Sequence, residues 1–170
     1  MKNKIILALA SSLIVVGLAG CGGNSGSTGE LELVTDIETL NEGDVVVMAT
    51  SLDEGGLGVT GWNENKDATI SEDISEWAFY TVELTTGGVL LYDASAEKYV
   101  APTAGTNAFK YGDNGATINV NENGEIYADF GDSQSYFYRN ENGGSPVFRF
   151  YKAAHAGEEA YTPFCLYVVC

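Results

Sequence analysis

From Leu31 to Cys170 the chain never sustains the 3.6-residue apolar spacing of an amphipathic helix. Short runs rich in Val, Ile, Tyr and Phe alternate instead with clusters of Gly, Asn and Asp. Branched and aromatic runs bounded by turn formers are the pattern of half-buried strands, so the chain reads as all-β. After an entry strand at Leu31–Val34 and a turn or brief helical bend over Asp36–Leu40, strands are expected at Asp44–Ala49, Leu57–Trp62, Ala68–Ser71 and Trp77–Leu84. A second group covers Gly88–Tyr92, Lys98–Ala101, Asn107–Tyr111 and Ala116–Asn121. The third covers Gly124–Phe130, Ser135–Asn140, Val147–Lys152 and Phe164–Val169. Asn123-Gly124 is expected to form a type I′ hairpin turn, which needs positive φ at both central residues.

The three groups begin near Asp44, Gly88 and Gly124, a spacing that predicts repeated supersecondary units. Three four-stranded units about a pseudo-threefold axis would make a β-trefoil. Glu76-Trp77-Ala78-Phe79 followed by Val89-Leu90-Leu91-Tyr92 is similar to the unit junction of such folds, and Lys98-Tyr99-Val100 resembles a strand of trefoil lectins. The alternative is a β-sandwich or an irregular β-barrel, which also yields short, evenly spaced strands. The expected core includes Val46, Trp77, Phe148, Phe150 and Leu166.

The chain's first 21 residues carry an address. Lys2 and Lys4 precede an apolar run from Ile5 to Gly17, which is shorter than the roughly 20 residues a membrane span needs and suits a cleaved signal. The run ends in Leu18-Ala19-Gly20-Cys21, which resembles the lipobox of bacterial lipoproteins. That resemblance implies lipid on the Cys21 thiol, cleavage before it, and an extracytoplasmic protein held on a bacterial membrane. The expected organisation is a signal peptide at 1–20, a lipidated cysteine and Gly/Ser tether at 21–30, and one all-β domain at 31–170.

A wider resemblance links Leu33-Val34-Thr35-Asp36, Leu40 to Val47, Lys98-Tyr99-Val100, Phe148 to Lys152 and Cys165-Leu166-Tyr167 to an uncharacterised domain of secreted gut-bacterial proteins. There the domain accompanies surface proteins and secreted hydrolases, which implies an accessory module. The chain departs from that pattern in lacking a tryptophan near Ala116–Ile118 and in the order of Tyr138-Arg139.

Charge narrows the partners. The 170 residues hold 24 acids against 8 lysines and arginines, a net −16. Removing residues 1–20 takes away two lysines and no acid, leaving −18. Such a surface repels phosphates, so no nucleic acid is expected as partner, and the membrane is held by lipid alone. One histidine excludes a multi-histidine metal site, and no metal or cofactor is expected. Asp53/Glu54, Asp129/Asp132 and Glu158/Glu159 are weak Ca²⁺ candidates beside their ordinary reading as a solubilising face. Cys165 reads as a buried apolar residue, and the state of Cys170 is open.

Two motif matches dissolve on inspection. Gly56-Leu57-Gly58-Val59-Thr60-Gly61 fits G-x-G-x-x-G but no βαβ unit surrounds it, so a glycine-rich strand or bulge is expected. Asn119 to Gly124 starts like an EF-hand loop, yet the twelfth position falls on Phe130 instead of Glu. His155 lies in a loop with no partnered nucleophile, and no catalytic residue is expected. Aromatic residues beside short polar ones remain the ligand candidates, because sugar rings stack on aromatic faces. These are Trp62 with Asn63, and Tyr136, Tyr138, Arg139 and Asn140. The leading expectation is a non-catalytic, lipid-anchored module for a glycan or other surface polymer. The alternatives are an envelope protein with a protein partner, or a small hydrolase using two carboxylates.

Overall fold

The computed structural model describes residues 29–63, 67–104, 109–152, 155 and 157–170. The signal, Cys21 and the tether to residue 28 lie outside them. No α-helix occurs among the described residues, and none is long and apolar enough to cross a membrane. The described residues form fourteen strands: β1 (Leu31–Leu33), β2 (Val45–Ala49), β3 (Gly58–Trp62), β4 (Ala68–Ser71), β5 (Tyr80–Thr85), β6 (Gly88–Asp93), β7 (Lys98–Pro102), β8 (Phe109–Gly112), β9 (Ile118–Val120), β10 (Ile126–Asp129), β11 (Gln134–Asn140), β12 (Val147–Tyr151), β13 (Tyr161–Pro163) and β14 (Cys165–Val169).

All ladders are antiparallel and connect the strands in the order β1-β14-β2-β5-β6-β9-β10-β11-β12. β3, β4, β7, β8 and β13 pair off that path. Two hairpins, β3–β4 and β7–β8, thus hang from strands of the main path, and a third, β11–β12, forms its end after β10. A single bridge, Glu125 to Cys165, brings the start of β10 beside the start of β14.

Strand alternation sorts the side chains into two apolar groups. Val46, Met48, Tyr80, Val82, Val89, Leu91, Ile118, Val120, Ile126, Ala128 and Leu166 face inward, joined by Val59, Val100, Phe137, Phe150 and Phe164. On the opposite face of β14 and β2, Leu31, Val47, Ala49, Cys165, Tyr167 and Val169 pack against Trp77. The expected core residues Val46, Trp77, Phe150 and Leu166 are buried, while Phe148 is only half-buried, edge-on to Phe164 at 6.2 Å.

Three local features differ from the sequence expectation. Asn123-Gly124 is not a type I′ turn: Gly124 has φ +79°, but the only described non-glycine residue with positive φ is Glu97. The turn is organised instead by Asn121, whose Oδ1 accepts from the N–H groups of Asn123 and Glu125. The last strand splits at Phe164, whose N–H donates to Phe137 and whose carbonyl accepts from Ile126, so the chain changes partner there. Short 3₁₀ turns at Leu52–Glu54 and Ile74–Glu76 add to the expected one at Ile37–Thr39, capped by Asp36. The glycine-rich segment behaves as expected, with a register shift in β3 between Val59 and Gly61.

A buried polar chain crosses the core. Trp62 Nε1 donates to the Tyr80 hydroxyl at 3.2 Å, and the Tyr80 and Tyr111 hydroxyls are hydrogen-bonded to each other. Tyr111 donates to Asp93 Oδ2 at 2.6 Å. Asp93, 2 % exposed, also accepts at Oδ1 from the backbone N–H groups of Ser95 and Ala96 and from the Ser95 hydroxyl. Its carboxylate is saturated by four donors, which removes the usual penalty for burying it. Tyr111→Phe would leave Asp93 Oδ2 and the Tyr80 hydroxyl short of a partner, and should cost about 1–3 kcal/mol in urea unfolding. A fully neutral result would show that water replaces the phenol there.

Candidate functional site

The β10–β13 region builds a tyrosine face. Tyr127 on β10 stands opposite Tyr136 on β11, which stands opposite Tyr151 on β12. Side chains directly opposite in an antiparallel ladder point to the same side. Two residues on, Tyr138 shares that side, and Asn140 follows, paired with Tyr161 of β13. The rings follow one another: Tyr127 to Tyr136 at 5.8 Å, Tyr136 to Tyr138 at 6.3 Å, and Tyr138 to Tyr151 at 6.4 Å. The only histidine completes the group. His155 stacks on Tyr161 at 3.8 Å and meets Tyr138 and Tyr151 edge-on.

Polar atoms lock these rings. Tyr136 donates to Gln134 Oε1 at 2.6 Å, and Asn140 Nδ2 donates to the Tyr151 hydroxyl at 3.0 Å. The His155 backbone N–H donates to the Tyr138 hydroxyl, and its Nδ1 lies 3.0 Å from Glu158. Tyr138 and Tyr151 are buried, whereas Tyr127 and Tyr136 are half-buried and so present ring surface to solvent. Beside Tyr136 opens a cavity of about 320 Å³ lined also by Gly131, Asp132, Ser133, Gln134 and Lys152. A larger one, about 500 Å³, lies elsewhere, among the Thr35–Leu40 segment, the β5–β6 turn and β9.

The sequence candidates divide accordingly. Tyr136, Tyr138 and Asn140 come together on this face. Arg139 points to the other side of β11, where Nη2 pairs with Glu141 at 2.6 Å and Nε is buried without an acceptor. Trp62 does not offer a free platform: its half-buried ring packs on Phe137 at 5.2 Å and Phe150 at 6.2 Å, and its N–H is held by Tyr80. Asn63 closes the β3–β4 turn, accepting from the Asp67 N–H at 3.1 Å. Both residues are explained by local packing. Tyr127, Tyr151 and Tyr161 are not singled out by the sequence, and His155 reads there only as a loop residue, because the four sit on separate segments. Tyrosine on alternate positions at 136 and 138 was the one signal that could have found them. Cys21 lies outside the described residues.

The remaining chemistry is structural. Cys165 is a free, buried thiol pushed up to about 12 by burial, which keeps it protonated and unreactive. Lys98 pairs with Asp113, and Arg149 Nε holds Asp67 at 2.7 Å, tying β12 to the β3–β4 hairpin. Among the described residues no three His, Cys, Asp or Glu side chains converge as metal ligands, the weak Ca²⁺ pairs included.

No family model matches this chain, and neither a curated protein nor a solved structure matches it. The site therefore stands on its own geometry.

The tyrosines give the fold an alkaline limit. Burial raises Tyr80, Tyr111, Tyr127, Tyr138 and Tyr151, and carries Tyr167 up to about 12. In the unfolded chain these phenols ionise near pH 10. Groups whose folded pKa is raised contribute stability that is complete below the unfolded value and is lost as pH rises beyond it. Absorbance at 295 nm should show these tyrosines ionising above pH 10 together with loss of the β circular-dichroism signal. Ionisation of all ten near pH 10 with the fold intact would contradict their burial.

Proposed function

We propose that the protein is a lipid-anchored, extracytoplasmic and non-catalytic binding module that holds a neutral glycan or similar surface polymer. The observation that carries this reading is the solvent-facing pair Tyr127–Tyr136, backed by buried rings and bordered by Gln134, Asp132 and Lys152. A flat ring fixed by its own hydroxyl suits a pyranose face, and short polar side chains beside it suit sugar hydroxyls. A net −16 chain disfavours polyanions, so the polymer is uncharged or weakly charged.

The head, in this reading, is β-trefoil-like. Support comes from the three hairpins, each of which offers one inward cross-strand pair: Val59 with Ile70, Val100 with Tyr111, and Phe137 with Phe150. Further support comes from the run β14-β2-β5-β6-β9-β10, whose last member touches its first at the Glu125–Cys165 bridge. The anchor is Cys21, by its likeness to a lipobox. Gly29 donates to the Cys170 carbonyl, so the tether leaves beside the end of β14.

A second reading, a protein partner in the envelope, is favoured by Leu84, 53 % exposed at the lip of the larger cavity. Detergent-solubilised protein on an array of neutral polysaccharides separates the two. Retention that changes little between low and high salt is expected, and retention by none of them transfers the case to the protein partner. The anchor is tested independently: Cys21→Ala should free the protein from membranes, and native membranes holding an unmodified Cys21 would refute the lipid.

A further inference from the structure

We infer that the head carries a second glycan platform at Tyr92 and Tyr99, equivalent to that at Tyr127 and Tyr136, and so grips a polymer at two points. The inference rests on the glycan reading above and on the repeat of the hairpin units.

The equivalence follows from register. Where each hairpin joins a strand of the main path, one cross-strand pair faces outward: Ala49 with Gly58, Tyr92 with Tyr99, and Tyr127 with Tyr136. The next residue along the hairpin strand is in every case an inward, fully buried one, namely Val59, Val100 and Phe137. The two tyrosine pairs also share construction. Their centroids lie 5.1 and 5.8 Å apart, and the rings are tilted in both. In each, a side-chain oxygen on the same face fixes the hydroxyl of the hairpin tyrosine. Tyr99 donates to both Glu83 oxygens at 2.8 and 3.0 Å, as Tyr136 does to Gln134. A ring already held loses little freedom when a ligand docks on it. The Glu83 bond and partial burial raise Tyr99 and keep the phenol neutral.

The first unit shows what such a place accepts. There the pair is Ala49 and Gly58, and a ring from the chain itself occupies the spot. Trp77 lies so close over Gly58 that an added Cβ would stand 2.0 Å from the indole. Its N–H donates to the Ser71 carbonyl at 2.9 Å, and it is 4 % exposed. The linker that delivers Trp77 is the one between the hairpin and the next strand. In the second unit the corresponding linker passes Tyr99 with Gly115, which has no side chain to lay across the pair. In the third, His155 is spent on Tyr161, Tyr138 and Tyr151. The first platform is therefore filled by a flat ring carrying a hydrogen-bonding edge, while the second and third leave theirs half-buried. A pyranose, flat-faced and rimmed with hydroxyls, has the same combination. Glu83 and Asp129 border the two pairs and set them against anionic sugars.

Affinity electrophoresis of the full chain in detergent tests this, using gels that contain soluble β-glucan, galactomannan or starch. Tyr99→Ala and Tyr136→Ala are each expected to weaken retardation by the retained polymer roughly tenfold or more, as one of two linked contacts is lost. The double variant should run as in a gel without polymer. With a short oligosaccharide of the same polymer, calorimetry should give two sites for the wild type and one for each single variant, at unchanged affinity. Circular dichroism establishes that the variants fold, and Tyr92→Ala and Tyr127→Ala replace any that does not. If Tyr136→Ala abolishes retardation while Tyr99→Ala and Tyr92→Ala match the wild type, the second platform is wrong and the glycan reading stands. If no polymer retards the wild type, both fall.

Discussion

The buried chain of hydrogen bonds from Trp62 through Tyr80 and Tyr111 to Asp93 is the constraint on which the rest of the head depends. It links β3 and β8 to the β5–β6 hairpin, and passes through a core otherwise filled by aliphatic and phenyl groups. A purely apolar core tolerates sliding between near-equivalent packings. A polar chain in a low-dielectric interior does not, because every displaced link strands a donor or an acceptor. Asp93 ties this chain to the surface, since the same carboxylate shapes the β6–β7 turn through Ser95 and Ala96. Glu97, the only described non-glycine residue with positive φ, sits in that turn and is held there by it.

Fixing the inner layer in this way frees the outer layer. Residues that alternate with the core positions on β6, β7, β10 and β11 stand outside that hydrogen-bonded chain and, apart from buried residues such as Tyr138, are free to be chosen for what they present. They are tyrosines at four of these places, Tyr92, Tyr99, Tyr127 and Tyr136, all half-buried. The register shift between Val59 and Gly61 explains why Trp62, three residues after inward Val59, also belongs to the inner layer. Its nitrogen begins the polar chain and its ring roofs Phe137 and Phe150.

Much of this architecture was legible in the sequence, and the residues show why. Thirteen expected strands correspond to strands of the molecule because runs such as Ala68–Ser71 and Lys98–Ala101 carry both the composition and the boundaries of a strand. The fourteenth, Tyr161–Pro163, contains a proline and lies beside Gly157, so local propensity hides it; it forms because β11 supplies a partner. The turn at Asn123-Gly124 was placed correctly but given the wrong geometry, since Asn121 competes for the same backbone donors from outside the dipeptide. The candidate site was half legible. Tyr136, Tyr138 and Asn140 stand close in sequence and share a face, whereas Tyr127 and Tyr161 join them only through ladders, which are properties of the fold.

The ladder between β1 and β14 has a mechanical meaning. β1 is three residues long, and the backbone bonds of Gly29 and Val34 with β14 and Cys170 extend its attachment at either end. If Cys21 anchors the protein as proposed, a pull on the head enters it through Gly29. That tension runs along β1, so its bonds to β14 are loaded side by side as a lap joint instead of peeling one at a time. The three-residue β1 is thus the seam through which such a load would reach the head.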